Sequence, residues 1–232
     1  MVDTGTRTAV LVGASGLTGN YLLREILQSA LYSKVICISR KELFWQSKGT
    51  KIEHPKLENV IVNFDNLEEY AHKIKGDDLF CTLGTTIKKA GTYDNFLKVD
   101  VEYPFHFAEK GKRNGSKNFF LLSSIGANAL SGNNYLRAKG QLEEKIKNLH
   151  FESLHVFRPS LLLGSREEIR IAETLAKALL LITGFLLVGK WRRYKAIESL
   201  LVAKAMCKAA ELNISSSIHY YDDMVKLSAS EF

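Results

Sequence analysis

Residues 8–19 read TAVLVGASGLTG, an apolar run that ends at Gly13 and is followed by two further glycines, Gly16 and Gly19. An apolar run without alternation is typical of a strand that is buried on both faces in a parallel sheet. Because the glycines stand between this strand and a helix predicted over 17–31, their spacing indicates a turn that binds a dinucleotide. This stretch therefore predicts both a sheet and a ligand.

Strand patterns alternate with helix patterns along most of the chain. Five further apolar runs predict strands at 34–39, 59–64, 78–83, 118–123 and 152–158, and helical spacing predicts helices over 93–112 and 135–149. Parallel neighbours require crossovers, so the pattern specifies an α/β, doubly wound parallel sheet of the Rossmann type. We predict one domain over 1–232. Its helical C-terminal part, 165–232, is expected on the substrate side, with helices at 166–188 and 196–212 and a strand at 218–221.

The glycine turn is expected to hold the phosphates of the dinucleotide. Gly13 permits the tight turn, Gly16 lets the backbone approach a pyrophosphate, and Gly19 lets the helix pack closely. The helix N-terminus offers free N–H groups to the phosphates. The predicted contacts of the turn are Gly13, Ser15, Gly16, Leu17, Thr18 and Gly19.

The end of the second strand indicates which dinucleotide binds. An acidic residue there would accept a hydrogen bond from the ribose 2′-hydroxyl of NAD(H), but the sequence runs Ser39, Arg40, Lys41. A guanidinium, with a lysine beside it, suits a 2′-phosphate. NADP(H) is therefore favoured over NAD(H), the alternative being two solvated basic residues in a loop.

A candidate catalytic pair lies at the start of the helix over 135–149. Tyr135 and Lys139 are four residues apart and project from one face. An ammonium beside a phenol stabilises the phenolate, which lets the phenol act as acid or base. The fifth strand ends in Ser123 and Ser124, where a hydroxyl can bond a substrate carbonyl.

The pieces together resemble the short-chain dehydrogenase/reductase superfamily, and in particular its atypical members, similar to the Tat-interacting protein family of oxidoreductases. The matching segments are GASGLTG (13–19), FCTLGTTIKKAG (80–91), FLKVD (96–100), SSIGAN (123–128), YLRAK (135–139) with Gly140, and RPSLLLGSR (158–166).

The resemblance implies roles for residues outside the turn. Leu83, Gly84 and Thr85 would lie along the cofactor towards its nicotinamide, Asp65 would approach the adenine, and Arg158 and Leu161 would pass the nicotinamide. Lys139 would also hold the nicotinamide ribose. Tyr135 would donate the proton to a carbonyl, with Ser123 preferred to Ser124 as the partner hydroxyl. The helical asparagine of typical members has no counterpart, and Asp100 stands nearby, so the usual proton relay is left open.

Composition sets the remaining expectations. The net charge is +7, but the basic residues are scattered apart from 190–195, so nucleic-acid binding is not expected. The three cysteines and six histidines lack metal-ligand spacing, and no metal is predicted. The apolar segment 178–188 is too short to cross a bilayer as a helix. With no export signal, we expect a cytoplasmic protein that acts on a small molecule, with a homodimer as one open arrangement.

These observations favour an NADP(H)-dependent oxidoreductase that reduces a carbonyl group or oxidises an alcohol. The main alternative is an NADP(H)-binding regulator that senses redox state with little turnover, which would need the glycine turn but not the Tyr/Lys pair. A nucleotide-sugar epimerase or dehydratase would use the same pair, but 165–232 leaves little room for a nucleotide-sugar domain.

Overall fold

A seven-stranded parallel sheet forms the centre of the computed structural model, which describes residues 6–164 and 189–230. The strands are ordered β3-β2-β1-β4-β5-β6-β9 across the sheet. Their bounds are β1 Arg7–Val12, β2 Tyr32–Ser39, β3 Leu57–Ile61, β4 Asp78–Cys81, β5 Asn118–Leu122, β6 Ser153–Phe157 and β9 Ser217–His219. The predicted doubly wound α/β fold is confirmed.

The central strand β1 is fully buried from Ala9 to Val12, as its apolar run predicts. Val12 is paired with Ile38 of β2 on one side and with Cys81 of β4 on the other. Strand order reverses between these two neighbours, so a crevice opens at the carboxyl ends of β1 and β4. Ligands of open parallel sheets bind at such a crevice.

Helices cover both faces of the sheet. Helices α1, α6 and α7 pack over one apolar core, and α4, α5 and a 3₁₀ helix, Phe64–Lys73, pack over the other. The helices are α1 Leu17–Gln28, α2 Ile87–Ala90, α3 Tyr93–Leu97, α4 Tyr103–Arg113, α5 Asn134–Lys147, α6 Ser199–Glu211 and α7 Tyr221–Ser228. None of the described helices is long and apolar enough to cross a membrane.

Several predicted elements, among them the strands at 59–64 and 218–221, differ from the observed ones in their bounds, and two helices also differ in kind or in what precedes them. The helix predicted over 93–112 is made of α3 and α4 joined by a π-helical turn, Lys98–Glu102, which we call the π segment. The helix predicted from residue 196 begins at Ser199, because residues 197–198 form a short strand, β8, paired with β7, Leu162–Leu163.

The predicted helix over 166–188, with its apolar segment 178–188, lies outside the described residues. The basic run 190–195 falls largely in a 3₁₀ helix, Gly189–Tyr194, with Trp191 exposed. The substrate-side role of 165–232 and the homodimer stay predictions.

Candidate active site

The glycine turn is closed by contacts among its own residues. Gly13 has a φ of +89°, which a residue with a side chain rarely adopts, and its carbonyl accepts a hydrogen bond from the Gly16 N–H at 2.9 Å. A methyl group on Gly19 would lie 2.1 Å from that same carbonyl oxygen. Gly16 is the N-cap residue of α1, and no side chain of the described residues caps the helix there. Its first N–H groups are therefore available to an anion.

A cavity of about 830 Å³ extends from this turn along the carboxyl ends of β2, β3 and β4. Eight of the predicted cofactor residues line it: Gly13, Ser15, Gly16, Arg40, Asp65, Leu83, Gly84 and Thr85. Sequence reasoning missed six polar residues in the same wall, Asn63, Thr82, Lys89, Asn95, Lys98 and Tyr103. The last four lie on α2, α3, the π segment and the start of α4, where helical spacing alone does not show which side chains reach the cavity.

Basic groups dominate the charge of the cavity. The exposed Arg40 lines it, and no carboxylate within the described ranges forms an ion pair with its guanidinium. Lys41 is also exposed but is not part of the cavity wall. The side chain of Arg40 is thus available to bind an anionic ligand, whereas Lys41 does not contribute to this cavity.

Asp65 is the acidic residue of the cavity wall, and its carboxylate is already engaged. It accepts a hydrogen bond from the Tyr103 hydroxyl at 2.7 Å and lies 3.4 Å from the Lys98 Nζ. These two contacts, the tyrosine first, hold the pKa of Asp65 below its usual value. Burial and the neighbouring carboxylate raise the pKa of Tyr103 to about 12. Asp65 therefore remains a carboxylate over the neutral range.

The candidate catalytic pair stands in the first turns of α5. The side chain of Asn133 accepts hydrogen bonds from the Tyr135 and Leu136 N–H groups, which fixes the start of the helix. One turn apart, the Lys139 Nζ lies 5.9 Å from the centre of the Tyr135 ring. The buried Phe96 also packs against that ring, with 5.9 Å between the ring centres.

Lys139 is buried and forms an ion pair with Asp100 of the π segment at 2.8 Å. Burial lowers the pKa of Lys139, but Asp100 and then Tyr135 outweigh it, and the pKa is raised above the usual value. The other oxygen of Asp100 accepts a hydrogen bond from the Thr85 N–H at 2.7 Å. A side-chain carbon built on Gly84 would lie 3.5 Å from the Lys139 Nζ, so the pair abuts the wall of the cavity.

The two serines at the end of β5 are in different states. The hydroxyl of Ser123 is buried and donates a hydrogen bond to Glu143 of α5. Ser124 is half-buried, and its Oγ lies 3.4 Å from the Ile125 carbonyl oxygen, a long contact. The role predicted for Ser123 stays a prediction, and the contact with Glu143 argues against it because the proton of its hydroxyl is already in use.

Two residues predicted at the nicotinamide end lie outside the large cavity. Arg158 forms an ion pair with Glu143 and donates to the Tyr220 hydroxyl at 3.2 Å. It lines a second cavity of about 760 Å³ beside α5, β6 and β9. Leu161 is exposed, and its carbonyl accepts from the Ile197 N–H at 2.9 Å. Their contact with a cofactor stays a prediction.

The remaining residues of the turn serve packing in the described conformation. Thr18 is buried, and Leu17 packs against Gly164, where an added side-chain carbon would lie 2.9 Å from the Leu17 Cδ2.

Cys81 is fully buried beneath the site, and burial raises the pKa of its thiol to about 12. The described residues contain no group of three or more side chains suited to a metal ion.

Comparison with curated proteins identifies relatives, although no family model matches the chain. The protein HTATIP2 of Rattus norvegicus is 43% identical over 172 residues, which is 74% of this chain and 69% of the relative. The chain belongs to the HTATIP2 family. This agrees with the resemblance to atypical short-chain dehydrogenases/reductases that the motifs indicate.

Fungal relatives correct the predicted location. Protein FMP52, mitochondrial, of Candida glabrata is 35% identical over 162 residues, 70% of this chain and 66% of the relative. Further fungal relatives carry the same mitochondrial name. The prediction of a cytoplasmic protein is wrong on this finding, because the names of these relatives point to mitochondria, and composition carries no signal that would separate the two compartments.

Solved structures show the same fold at low sequence identity. The enzyme WbmH of Bordetella bronchiseptica, solved in complex with NAD⁺, has a TM-score of 0.68 and 13% identity to this member of the HTATIP2 family. The match covers 93% of this chain and 75% of that one. The chain thus shares the fold of this NAD⁺-bound enzyme.

Proposed function

We propose that this chain is an NADP(H)-dependent oxidoreductase that reduces a carbonyl group, or oxidises the corresponding alcohol, with Tyr135 as the acid/base. One observation carries the proposal. The Lys139 Nζ approaches Gly84, which belongs to the cavity that begins at the glycine turn, and Tyr135 stands one helical turn from Lys139. A nucleotide bound along that cavity would end beside a phenol and an ammonium.

The residues present fit a dinucleotide phosphate. The uncapped start of α1 offers N–H donors to the pyrophosphate, and the turn leaves no side chain in the way. Arg40 would pair with the 2′-phosphate, and Lys139 would hold the nicotinamide ribose. Structural neighbours that were solved with NAD bound add support for a nicotinamide cofactor. The bound cofactor would supply or accept the hydride.

The chain itself would manage the proton. As the carbonyl oxygen gains charge, Tyr135 would donate its hydroxyl proton to it, and the ammonium of Lys139 would stabilise the phenolate that remains. A serine hydroxyl at the end of β5 would donate a second hydrogen bond to the same oxygen. Since Ser123 donates to Glu143, Ser124 is the hydroxyl whose proton is more readily offered.

The test is NADPH consumption with a panel of aldehydes, ketones and quinones, followed by Tyr135→Phe on the best substrate. We expect a fall of about a hundredfold to ten-thousandfold in kcat, the usual contribution of a positioned acid. NADPH affinity should change little, because the hydroxyl acts mainly in the transition state. Tyr93→Phe is the matched control, since Tyr93 also packs against Phe96 but lies on α3.

Full activity in Tyr135→Phe would reject the mechanism. Tight NADPH binding without consumption of any substrate would instead favour the regulator, whose cavity would need the turn and Arg40 but not the phenol.

A further inference from the structure

Asp100 occupies an unusual position for an acidic residue. It is fully buried on the π segment, and its two oxygens contact two different elements, Lys139 of α5 and the Thr85 N–H after β4. Single π turns inside α-helices are rare and occur frequently at functional sites. Here the π turn is the segment that carries the carboxylate between α3 and α4.

The ammonium of Lys139 needs a partner because it is also buried. Three titratable groups face it, namely Asp100 of the π segment, Tyr135 of α5 and Cys81 of β4. Cys81 is a neutral thiol near neutral pH, since burial raises its pKa to about 12. Among these groups, Asp100 is the one that supplies a full negative charge. An ammonium buried without it would tend to lose its proton.

We propose that Asp100 is a positioning residue whose carboxylate keeps Lys139 protonated and fixes its ammonium against the Gly84–Thr85 end of the cavity. The proposal rests on the proposed function of Lys139. It gives the π segment a role that the usual helical asparagine does not have, because a carboxylate brings charge as well as a hydrogen-bond acceptor.

Asp100→Asn tests the charge while keeping size and an acceptor for the Thr85 N–H. Without the carboxylate, the buried Lys139 loses its proton at lower pH, and the ammonium that would hold the ribose and stabilise the phenolate is lost with it. The rate of carbonyl reduction and the NADPH affinity should each fall at alkaline pH, and we call this part of each pH profile its alkaline limb. We expect both alkaline limbs to shift to lower pH by about one unit or more, which is roughly a tenfold loss of rate or affinity at a given pH on the limb. Asp94→Asn, an exposed acid on α3, is the control and should leave both profiles in place.

Thermal unfolding of the protein without cofactor gives a readout that does not depend on activity. In the unmodified protein the raised pKa of Lys139 stabilises the fold at neutral pH, and this stability is lost only as pH rises through that value. In Asp100→Asn, burial alone acts on Lys139, and a neutral amine is buried at little cost once the pH is high. The difference in Tm between the two proteins should therefore narrow between about pH 7 and about pH 10.

A Tm difference that stays constant with pH, together with unmoved alkaline limbs, would overturn the proposal, because Asp100 would then act only as a hydrogen-bond acceptor. If Asp100→Asn does not fold, Asp100→Glu decides. The Asp100→Glu variant keeps the charge, so the alkaline limb of its NADPH affinity should stay near that of the unmodified protein. A shift of this limb by a full pH unit would contradict the proposal. Should the unmodified protein bind NADPH and reduce nothing, the proposed function fails, while the unfolding series still tests Asp100.

Discussion

The glycine turn and the first turns of α5 lie at the same edge of the sheet, but different kinds of contact hold them. In the turn, Gly16 and Gly19 approach the Gly13 carbonyl, and Gly13 and Gly19 also approach Thr82, the residue that follows β4. On α5, Lys139 is held by Asp100, and Glu143 is held by Ser123 and Arg158, all distant in the chain. The turn is thus a local device of backbone and small residues, and the α5 region is an assembly of charges brought together by the fold.

This difference predicts where each region is fragile. The turn has no spare space at Gly13 and Gly19, so a methyl group added at either position should disrupt it. The α5 region is held by side-chain contacts, so a single change there should remove one contact or one chemical group and cost less stability.

The largest effect is expected at Gly19. Gly19→Ala would place a carbon 2.1 Å from the Gly13 carbonyl oxygen, and backbone must move to relieve it. We expect a loss of about 3 kcal/mol or more in the free energy of unfolding, since overpacking of this kind is at the upper end of its range. Chemical denaturation measures it.

Gly16→Ala is the matched control for that experiment, because its added carbon would lie 3.3 Å from the same oxygen. It should cost about 1 kcal/mol, the usual difference between glycine and alanine at the start of a helix, while weakening NADPH binding. Equal losses of stability in the two variants would show that the turn is looser than its contacts indicate.

Sequence spacing was sufficient for the turn and for the strands that surround it. Gly13, Gly16 and Gly19 are close in the chain, and their roles follow from local geometry, as does the position of Arg40 at the end of β2. The strand assignments succeeded for the same reason, because buried parallel strands are short apolar runs that need no distant information.

The α5 region could be predicted only in part. The four-residue spacing of Tyr135 and Lys139 placed both in the first turns of α5, yet nothing local shows that Lys139 would meet Asp100 or that Ser123 would meet Glu143. Such pairs depend on how α5 packs on the π segment and on β5. The π segment itself escaped prediction because a single extra residue in a helical turn leaves the hydrophobic period almost unchanged.

The serines test whether the charge network of α5 serves chemistry or packing. Ser124→Ala should lower kcat/KM for carbonyl reduction by about a hundredfold, the usual cost of removing one donor to a developing oxyanion. Ser123→Ala should change kcat/KM by less than about threefold but lower the free energy of unfolding by about 1 kcal/mol, since Glu143 loses a buried donor. The reverse pattern would restore Ser123 as the partner hydroxyl and show that its bond to Glu143 gives way when substrate binds.

The smallest effect is expected at Arg40, whose exposed side chain forms no ion pair with a carboxylate of the described residues. Its guanidinium reaches the cavity from an exposed position, so its bond to a 2′-phosphate would be partly screened by water and salt. Arg40→Ala should lower the ratio of NADPH to NADH affinity by about tenfold, within the range for a hydrogen bond to a charged group. Titration by cofactor fluorescence measures both affinities.

Lys41→Ala is the control and should leave the ratio of NADPH to NADH affinity within about threefold of the unmodified value, because Lys41 does not line the cavity. A loss shared equally by both cofactors would mean that Arg40 meets the pyrophosphate or the adenine, and equal affinities in the unmodified protein would remove the basis for preferring NADP(H).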